Sequence, residues 1–251
     1  MSNLLADKVV LVTGGARGLG AAIIQRFAQE GAIGVAADLA FGSGADPLPE
    51  GFTAVEVDVG DEASVRRMVE ETLSRHGRLD CLIVNAGLVP PWSETANIDL
   101  SEWDRVMDVN ARGALATMKH AVPALADSRG SVVLTASINA VVAHPRQLIY
   151  TASKHAVLGI LRAAALDLGR YGIRVNGIAP GPIATEALLS RIRTRAQSGP
   201  SEVEALATLE SQTALGRLAT AAEVAATVAF LAGSAASGIS GQLLQVDAGM
   251  A

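Results

Sequence analysis

Residues 8–20 read KVVLVTGGARGLG, a β-branched run, Lys8–Thr13, that leads into Gly14-Gly15-Ala16-Arg17-Gly18-Leu19-Gly20 and then a helical pattern over Gly18–Glu30. Glycines at such a point permit a tight turn and let backbone approach a pyrophosphate. The helix that follows offers free N–H groups and the positive end of its dipole. Glycine clusters also end strands for purely structural reasons, so the loop takes its meaning from the strand–loop–helix setting around it.

Working outward, the same alternation continues. Ile33–Asp38 and Ala54–Asp58 are short apolar runs that each end in aspartate, and Asp61–His76 is amphipathic through Val65, Met68, Val69 and Leu73. Asp80–Asn85 reads as a strand, Leu100–Ala126 as a long helix, and Ser131–Ser137 as a strand. Ile149–Arg170 is a helix, Ile173–Ala179 a strand, Ala221–Ala232 a helix and Gln242–Val246 a last strand. Short β runs alternating with helices predict a doubly wound parallel α/β sheet of Rossmann type, about seven strands with helices on both faces. No linker, repeat or low-complexity tract divides it, so residues 1–251 read as one dinucleotide-binding and catalytic domain.

Two segments break the rhythm. The connection from Asp38 to Thr53 is too rich in glycine and proline for a crossover helix, which predicts a more open adenine end. An excursion of about residues 182–215 carries Arg191, Arg193 and Arg195 and reads as a substrate lid. Those arginines either greet an anionic substrate or form a solvated outer face.

Composition removes whole classes of function. Half the 251 residues are apolar and 18% are charged, the opposite of a disordered chain. Mean hydropathy is +0.34. Yet the longest uncharged stretch, Val224–Val246, is broken by Gly233, Gly238, Gly241 and serines, which argues against a membrane span. The start of the chain does not read as a signal peptide. A net charge of −5 with no extended basic run argues against nucleic acid as a partner. One cysteine, Cys81, and four scattered histidines predict neither disulfide nor metal site and favour a cytoplasmic setting. Only 3% aromatic content, with Ala, Val, Ile and Leu carrying the hydrophobicity, suits a sheet covered on both faces.

Asp38 stands 18 residues past Gly20, where a carboxylate bonds the adenosine ribose hydroxyls. From Phe27 through Val65 there is no Lys, Arg or His. A 2′-phosphate needs a cation there and is repelled by Asp38, so NAD is predicted over NADP. Arg17, inside the glycine loop, is the one residue that argues the other way.

The chain has two tyrosines and three lysines, and Lys154 follows Tyr150 by four residues on one face of the same predicted helix. A phenol with an ordinary pKa near ~10 is a poor base at neutral pH, and a neighbouring ammonium favours its ionised form. Ser137 ends the preceding strand at the carboxyl edge, where sheets of this type bind ligands, and its hydroxyl suits a substrate carbonyl or alcohol.

Taken together, Thr13–Gly20 (TGGARGLG), Asn85-Ala86-Gly87, Asn110, Ser137, Tyr150-Thr151-Ala152-Ser153-Lys154, Pro180–Thr185 (PGPIAT) and the ending Gly241-Gln242…Val246-Asp247-Ala248-Gly249 resemble the single-domain branch of the short-chain dehydrogenases/reductases. The order and spacing of these motifs cover essentially the whole chain. The resemblance implies that Tyr150 is the general acid/base, that Lys154 lowers its pKa and holds the nicotinamide ribose, and that Ser137 orients substrate. By the same resemblance Asn110 anchors a water in the proton relay. Cofactor contacts implied are Gly14, Arg17, Gly18, Leu19, Gly20, Asp38, Asp58 and Val59 beside the adenine, Asn85, Ala86, Gly87, Pro180, Gly181, Ile183 and Thr185. Val84 stands where the family usually has a further asparagine.

The reading that follows is an NAD(H)-dependent oxidoreductase that interconverts a secondary alcohol and a ketone. Its alternatives are an NADPH-dependent 3-oxoacyl reductase, disfavoured by Asp38, and a non-catalytic dinucleotide sensor, which has no use for Asn110, Ser137, Tyr150 and Lys154 together. Leu88, Trp92, Asn139, His144 and Leu188 are the candidate substrate contacts. The resemblance also implies a homotetramer built on Leu100–Ala126, Ile149–Arg170 and Gln242–Val246.

Overall fold

The computed structural model describes residues 4–196 and 200–250, so lid residues 197–199 and the side chain of Arg195 lie outside the described residues. The opening run forms β1 (Val9–Thr13), buried along its whole length, and the glycine loop hands it to α1 (Gly18–Gln29). β2 (Ile33–Asp38), β3 (Phe52–Glu56), α2 (Glu62–His76) and β4 (Cys81–Val84) follow. After them come α3 (Leu100–Met107), α4 (Gly113–Ser128), β5 (Ser131–Thr135), α5 (Leu148–Leu168) and β6 (Arg174–Pro180). The chain then runs through α6 (Glu186–Ala196), α7 (Glu202–Ser211) and α8 (Ala221–Ala232) to β7 (Leu243–Val246). The seven strands form one sheet in the order β3-β2-β1-β4-β5-β6-β7, every neighbouring pair parallel. The order reverses between β1 and β4, and the crevice beyond their carboxyl ends is where doubly wound sheets take ligands.

Both faces of the sheet are buried because alternate strand residues serve different cores. Leu11, Leu82, Val132 and Leu134 face α2, α4 and α5 through Val65, Met68, Ala121 and Leu161. Val10, Val12, Ile83 and Val133 face α1 and α8 through Ile23, Phe27, Val224 and Val228. Small alanines let the helices lie close without aromatic filler.

Three expectations are revised. β3 starts at Phe52, because pairing with β2 runs from Gly34↔Phe52 to Asp38↔Glu56, which leaves Asp58 in the loop beyond the strand. The connection after β2 holds no helix, yet it does not leave its end of the molecule bare. The Asp46 amide donates to the Ala16 carbonyl at 2.7 Å, Gln25 reaches the Pro47 carbonyl, and Phe41 and Leu48 pack against the core that α1 covers. Third, the long helix expected over 100–126 is not regular: a π-turn, Asp108–Arg112, separates α3 from α4 and carries Asn110. Single π-turns inserted into helices accompany functional positions.

The lid is α6 and α7. Arg193 joins them through ion pairs to Glu186 and Glu202, and Ser201 with Glu204 forms a capping box on α7. Its two ends are pinned, the first by a bridge between Ile183 and Ala219, the second by Thr213 against Met250 and by Ala214 and Leu215 amides on the Gly249 and Ala248 carbonyls. No helix among the described residues is long and apolar enough to cross a membrane.

Candidate active site

The glycine loop is shaped by what a side chain would meet. Gly14 and Gly18 hold φ of 68° and 58°, the left-handed region. A Cβ on Gly20 would lie 1.9 Å from the Gly14 carbonyl oxygen, so this turn of α1 closes only over glycine. No side chain caps α1 at Arg17, whereas Asp61, Asp99, Ser201 and Thr220 cap α2, α3, α7 and α8. Its first N–H groups are thus left for an external acceptor, which fits a pyrophosphate. Leu19 is partly buried there and Arg17 exposed.

Asn85 braces the loop from below. Its Nδ2 donates to the Thr13 and Gly14 carbonyls at 3.1 Å each, and its Oδ1 accepts from Thr135 Oγ1 at 3.2 Å. Asn85 and Ala86 amides both donate to Thr13 Oγ1. Asp38 closes the other side: Oδ2 accepts the Ala16 amide at 2.9 Å and Oδ1 the Leu39 amide at 2.7 Å. Each carboxylate oxygen keeps a free lone pair for a ribose hydroxyl. Asp58 Oδ1 accepts the Gly60 amide at 2.8 Å, and Val59 is packed where α4 begins at Gly113.

The four reacting groups come from three elements. Ser137 follows β5, is 7% exposed, and accepts the Asn139 amide at 3.2 Å. Tyr150 and Lys154 lie on the first turns of α5. Lys154 is 4% exposed, and its Nζ donates to the Thr135 carbonyl at 3.0 Å. Asn110 holds both polar atoms of Leu88, accepting its amide at 2.7 Å and donating to its carbonyl at 2.9 Å, and donates to Ser153 Oγ at 3.0 Å. Gly87 passes between these groups; a Cβ there would lie 3.2 Å from Asn110 Oδ1 and 3.5 Å from Lys154 Nζ.

The electrostatics differ from the simple ammonium–phenol picture. Burial raises the Tyr150 phenol above its ordinary value, while the Ser137 hydroxyl and the Arg191 guanidinium pull it down. Burial also lowers Lys154 to about 8. Its Nζ stands over the Tyr150 ring, 5.7 Å from the centroid, rather than at the phenol oxygen. Lowering of Tyr150 by Lys154, as expected from the spacing alone, is therefore not the dominant effect here; withdrawal from water is.

Among the candidate substrate contacts, Trp92 lines a shallow cleft with Val89, Pro91, Ile98, Leu148 and Tyr150. Arg146 lies over the Trp92 ring at 5.5 Å. Leu88 is fixed by Asn110, and Leu188 sits on the partly buried face of α6. His144 Nε2 is buried with no hydrogen-bond partner. Asn139 is different: its Nδ2 donates to Gln147 and Thr151, and its Oδ1 accepts from Ser137. With its amide engaged by the protein, Asn139 braces Ser137. Pro180 is buried at the end of β6, Gly181 lies against Asp247, and the Thr185 amide turns back to the Ile183 carbonyl at 2.6 Å where the lid begins. Pattern reading gave Thr13 and Thr135 no role of their own; the Thr13 hydroxyl accepts the Asn85 and Ala86 amides, and the Thr135 carbonyl accepts from Lys154 Nζ. Among the described residues no cluster of three or more His, Cys, Asp or Glu is set to hold a metal.

The chain is similar to known proteins over nearly its whole length. A family model described as Enoyl-(Acyl carrier protein) reductase matches residues 14–251. The chain is 40% identical to Short-chain dehydrogenase reductase 5 of Arabidopsis thaliana, over 98% of this chain and 95% of that protein. It is 35% identical to Cis-4-hydroxycyclohexanecarboxylate dehydrogenase of Sinomonas cyclohexanicum, over 99% and 98%. The crystal structure of carveol dehydrogenase from Mycobacterium avium in complex with NAD matches with a TM-score of 0.89 at 29% identity, covering 98% of each chain. The chain belongs to the short-chain dehydrogenase/reductase family, a family of oxidoreductases.

Proposed function

We infer that this chain is an NAD(H)-dependent dehydrogenase that interconverts a secondary alcohol and its ketone. The observation that carries the reading is the meeting of Ser137, Tyr150, Lys154 and Asn110 beside a glycine loop whose helix N-terminus has no cap of its own. The similarity to an NAD-bound carveol dehydrogenase and to a dehydrogenase named for a hydroxylated cyclohexane acid supports both the cofactor and a cyclic secondary alcohol. Asp38 supports NAD over NADP, since its carboxylate repels a 2′-phosphate.

The bound nicotinamide supplies the hydride acceptor or donor. The chain supplies the rest. Ser137 holds the substrate oxygen. The Tyr150 oxygen takes the hydroxyl proton in oxidation, as the carbinol C–H bond breaks and its electron pair leaves with hydrogen, and returns that proton in reduction. Lys154 would hold the nicotinamide ribose, and the proton leaves Tyr150 by way of Lys154 and a water anchored at Asn110. The residue set Gly14, Arg17, Gly18, Leu19, Gly20, Asp38, Asp58, Val59, Asn85, Ala86, Gly87, Pro180, Gly181, Ile183 and Thr185 forms the cofactor bed. Leu88, Trp92, His144 and Leu188 surround the substrate, and Asn139 acts through Ser137.

The chain acts as one catalytic domain with a lid of about 182–215. It assembles as a homotetramer, supported by apolar side chains that stand out from α4 and α5, Leu115 at 54% and Leu166 at 85% exposure. A cytoplasmic setting is supported by its one cysteine. The test is Tyr150→Phe assayed on a panel of secondary alcohols with NAD⁺: kcat falls by about 100- to 10,000-fold while NAD⁺ affinity by calorimetry is unchanged. Turnover at the wild-type rate overturns the assignment.

A further inference from the structure

α6 has two kinds of arginine. Arg193 points outward and is neutralised by Glu186 and Glu202. Arg191 shares the inner side of the helix with Leu188, Leu189 and the buried Ile192, and is itself partly buried. It forms no ion pair or hydrogen bond among the described residues. Other described arginines form ion pairs, lie on aromatic rings as Arg146 and Arg170 do, donate to backbone carbonyls as Arg174 does, or stand exposed in water.

A guanidinium drawn out of water without an anion is costly unless one arrives with a ligand. The surroundings say where that ligand sits. Arg191 is coupled electrostatically to the Tyr150 phenol, and burial opposes its charge. The cleft that Tyr150 lines is walled by Val89, Pro91, Trp92, Ile98 and Leu148, its own cation Arg146 is engaged over the Trp92 ring, and no acidic side chain enters its lining. One unpaired cation beside an apolar wall matches a single negative charge on an otherwise apolar molecule, and a planar guanidinium binds a carboxylate through two parallel hydrogen bonds.

We propose that Arg191 anchors a carboxylate on the substrate, so that the alcohol oxidised at Tyr150 is a compact, apolar hydroxy acid. The proposal rests on the dehydrogenase reading for its reaction and on the lid geometry for its specificity.

Two measurements on the full chain, wild type and Arg191→Met, separate the two. The first needs no turnover: calorimetry with NAD⁺ present, using cyclohexanecarboxylate and its neutral carboxamide as probes. Wild type binds the acid roughly 10- to 100-fold more tightly than the amide, and Arg191→Met removes the difference. The second compares kcat/KM for a hydroxycyclohexane acid and its amide. The ratio of kcat/KM for acid over amide falls to near one in Arg191→Met, and the fall comes from KM for the acid. Arg191-dependent acid binding without turnover of any alcohol sustains the anion site and rejects the dehydrogenase reading. The proposal is overturned if wild type treats acid and amide alike or if Arg191→Met keeps the preference. It is equally overturned if the variant loses acid and amide turnover in proportion, or if only NAD⁺ binding weakens, because Arg191 then serves the phenol or the cofactor. A phosphate monoester of the same ring that outcompetes the acid in an Arg191-dependent way also overturns it.

Discussion

The side-chain amide of Asn110 donates to Ser153 Oγ at 3.0 Å, which ties the π-turn between α3 and α4 to the helix that carries Tyr150 and Lys154. Ser153 in turn donates to the Tyr150 carbonyl at 2.8 Å. The same amide clamps Leu88, so the loop after β4, the π-turn and α5 are held by one side chain that is 2% exposed.

Asn110→Leu therefore strands the Leu88 amide and carbonyl and removes the donor to Ser153 Oγ, which keeps its own bond to the Tyr150 carbonyl. Each orphaned buried group costs about 1–3 kcal/mol, and partial relaxation brings the expected loss to about 2–4 kcal/mol in urea unfolding. Tyr150→Phe, by contrast, leaves the unfolding midpoint nearly unchanged. Equal stability of Asn110→Leu and wild type would contradict this account.

Glycines in the cofactor loop differ in what they tolerate. Gly20→Ala forces a Cβ into the Gly14 carbonyl, and NAD⁺ affinity falls more than about 10-fold as the loop is displaced. Gly18→Ala meets nothing within 4 Å and pays only for φ of +58°, about 1–2 kcal/mol. Calorimetric titration of both variants with NAD⁺ gives the order wild type, Gly18→Ala, Gly20→Ala.

Legibility in the sequence followed the physics that sets each feature. The strands of a sheet buried on both faces must be short β-branched runs, and β1, β2 and β4 were readable for that reason. The Tyr150–Lys154 spacing is likewise local. The π-turn was not readable, because the apolar pattern over 100–126 continues through it and only tertiary packing of Asn110 shows the extra residue. Nor did the sequence reveal that Arg191 faces inward and Arg193 outward: two residues apart on a helix, they part company only once Glu202 of the next helix is in place. The Asn139 amide looked available for substrate until Gln147 and Thr151 closed on it.

Burial of Lys154 has a signature in stability against pH. Its folded value, about 8, lies below the ordinary 10.5, so between those limits the unfolded chain holds a proton that the folded chain has released. Stability attributable to Lys154 accordingly rises with pH across that window. Cys81, raised to about 11, and Tyr150, also raised, act with the opposite sign, because the folded chain keeps their protons longer. The difference in unfolding free energy between wild type and Lys154→Met isolates the lysine. Wild type gains on the variant from pH 8 to pH 10; a flat difference would refute the burial.

Asp38 links cofactor choice to loop geometry, since its carboxylate also receives the Ala16 amide. Asp38→Ala is expected to raise KM for NAD⁺ by about 10-fold and to narrow the preference over NADP⁺, the loss of one charge-assisted hydrogen bond being worth about 1.5–3 kcal/mol. Steady-state kinetics with both cofactors reads the change; an unaltered ratio would remove Asp38 from the discrimination.

The lid is fastened at both ends by main-chain bonds, at Ile183 to Ala219 and at Thr213–Leu215 to the segment that follows β7. Backbone bonds of that kind ask nothing of the side chains between them. The stretch from α6 to α7 is thus an exchangeable cassette: its sequence can drift or be transplanted while Tyr150, Lys154 and the glycine loop stay in register. Divergence in what such a scaffold oxidises then proceeds by rewriting a clamped insert, with the hydride and proton chemistry inherited unchanged.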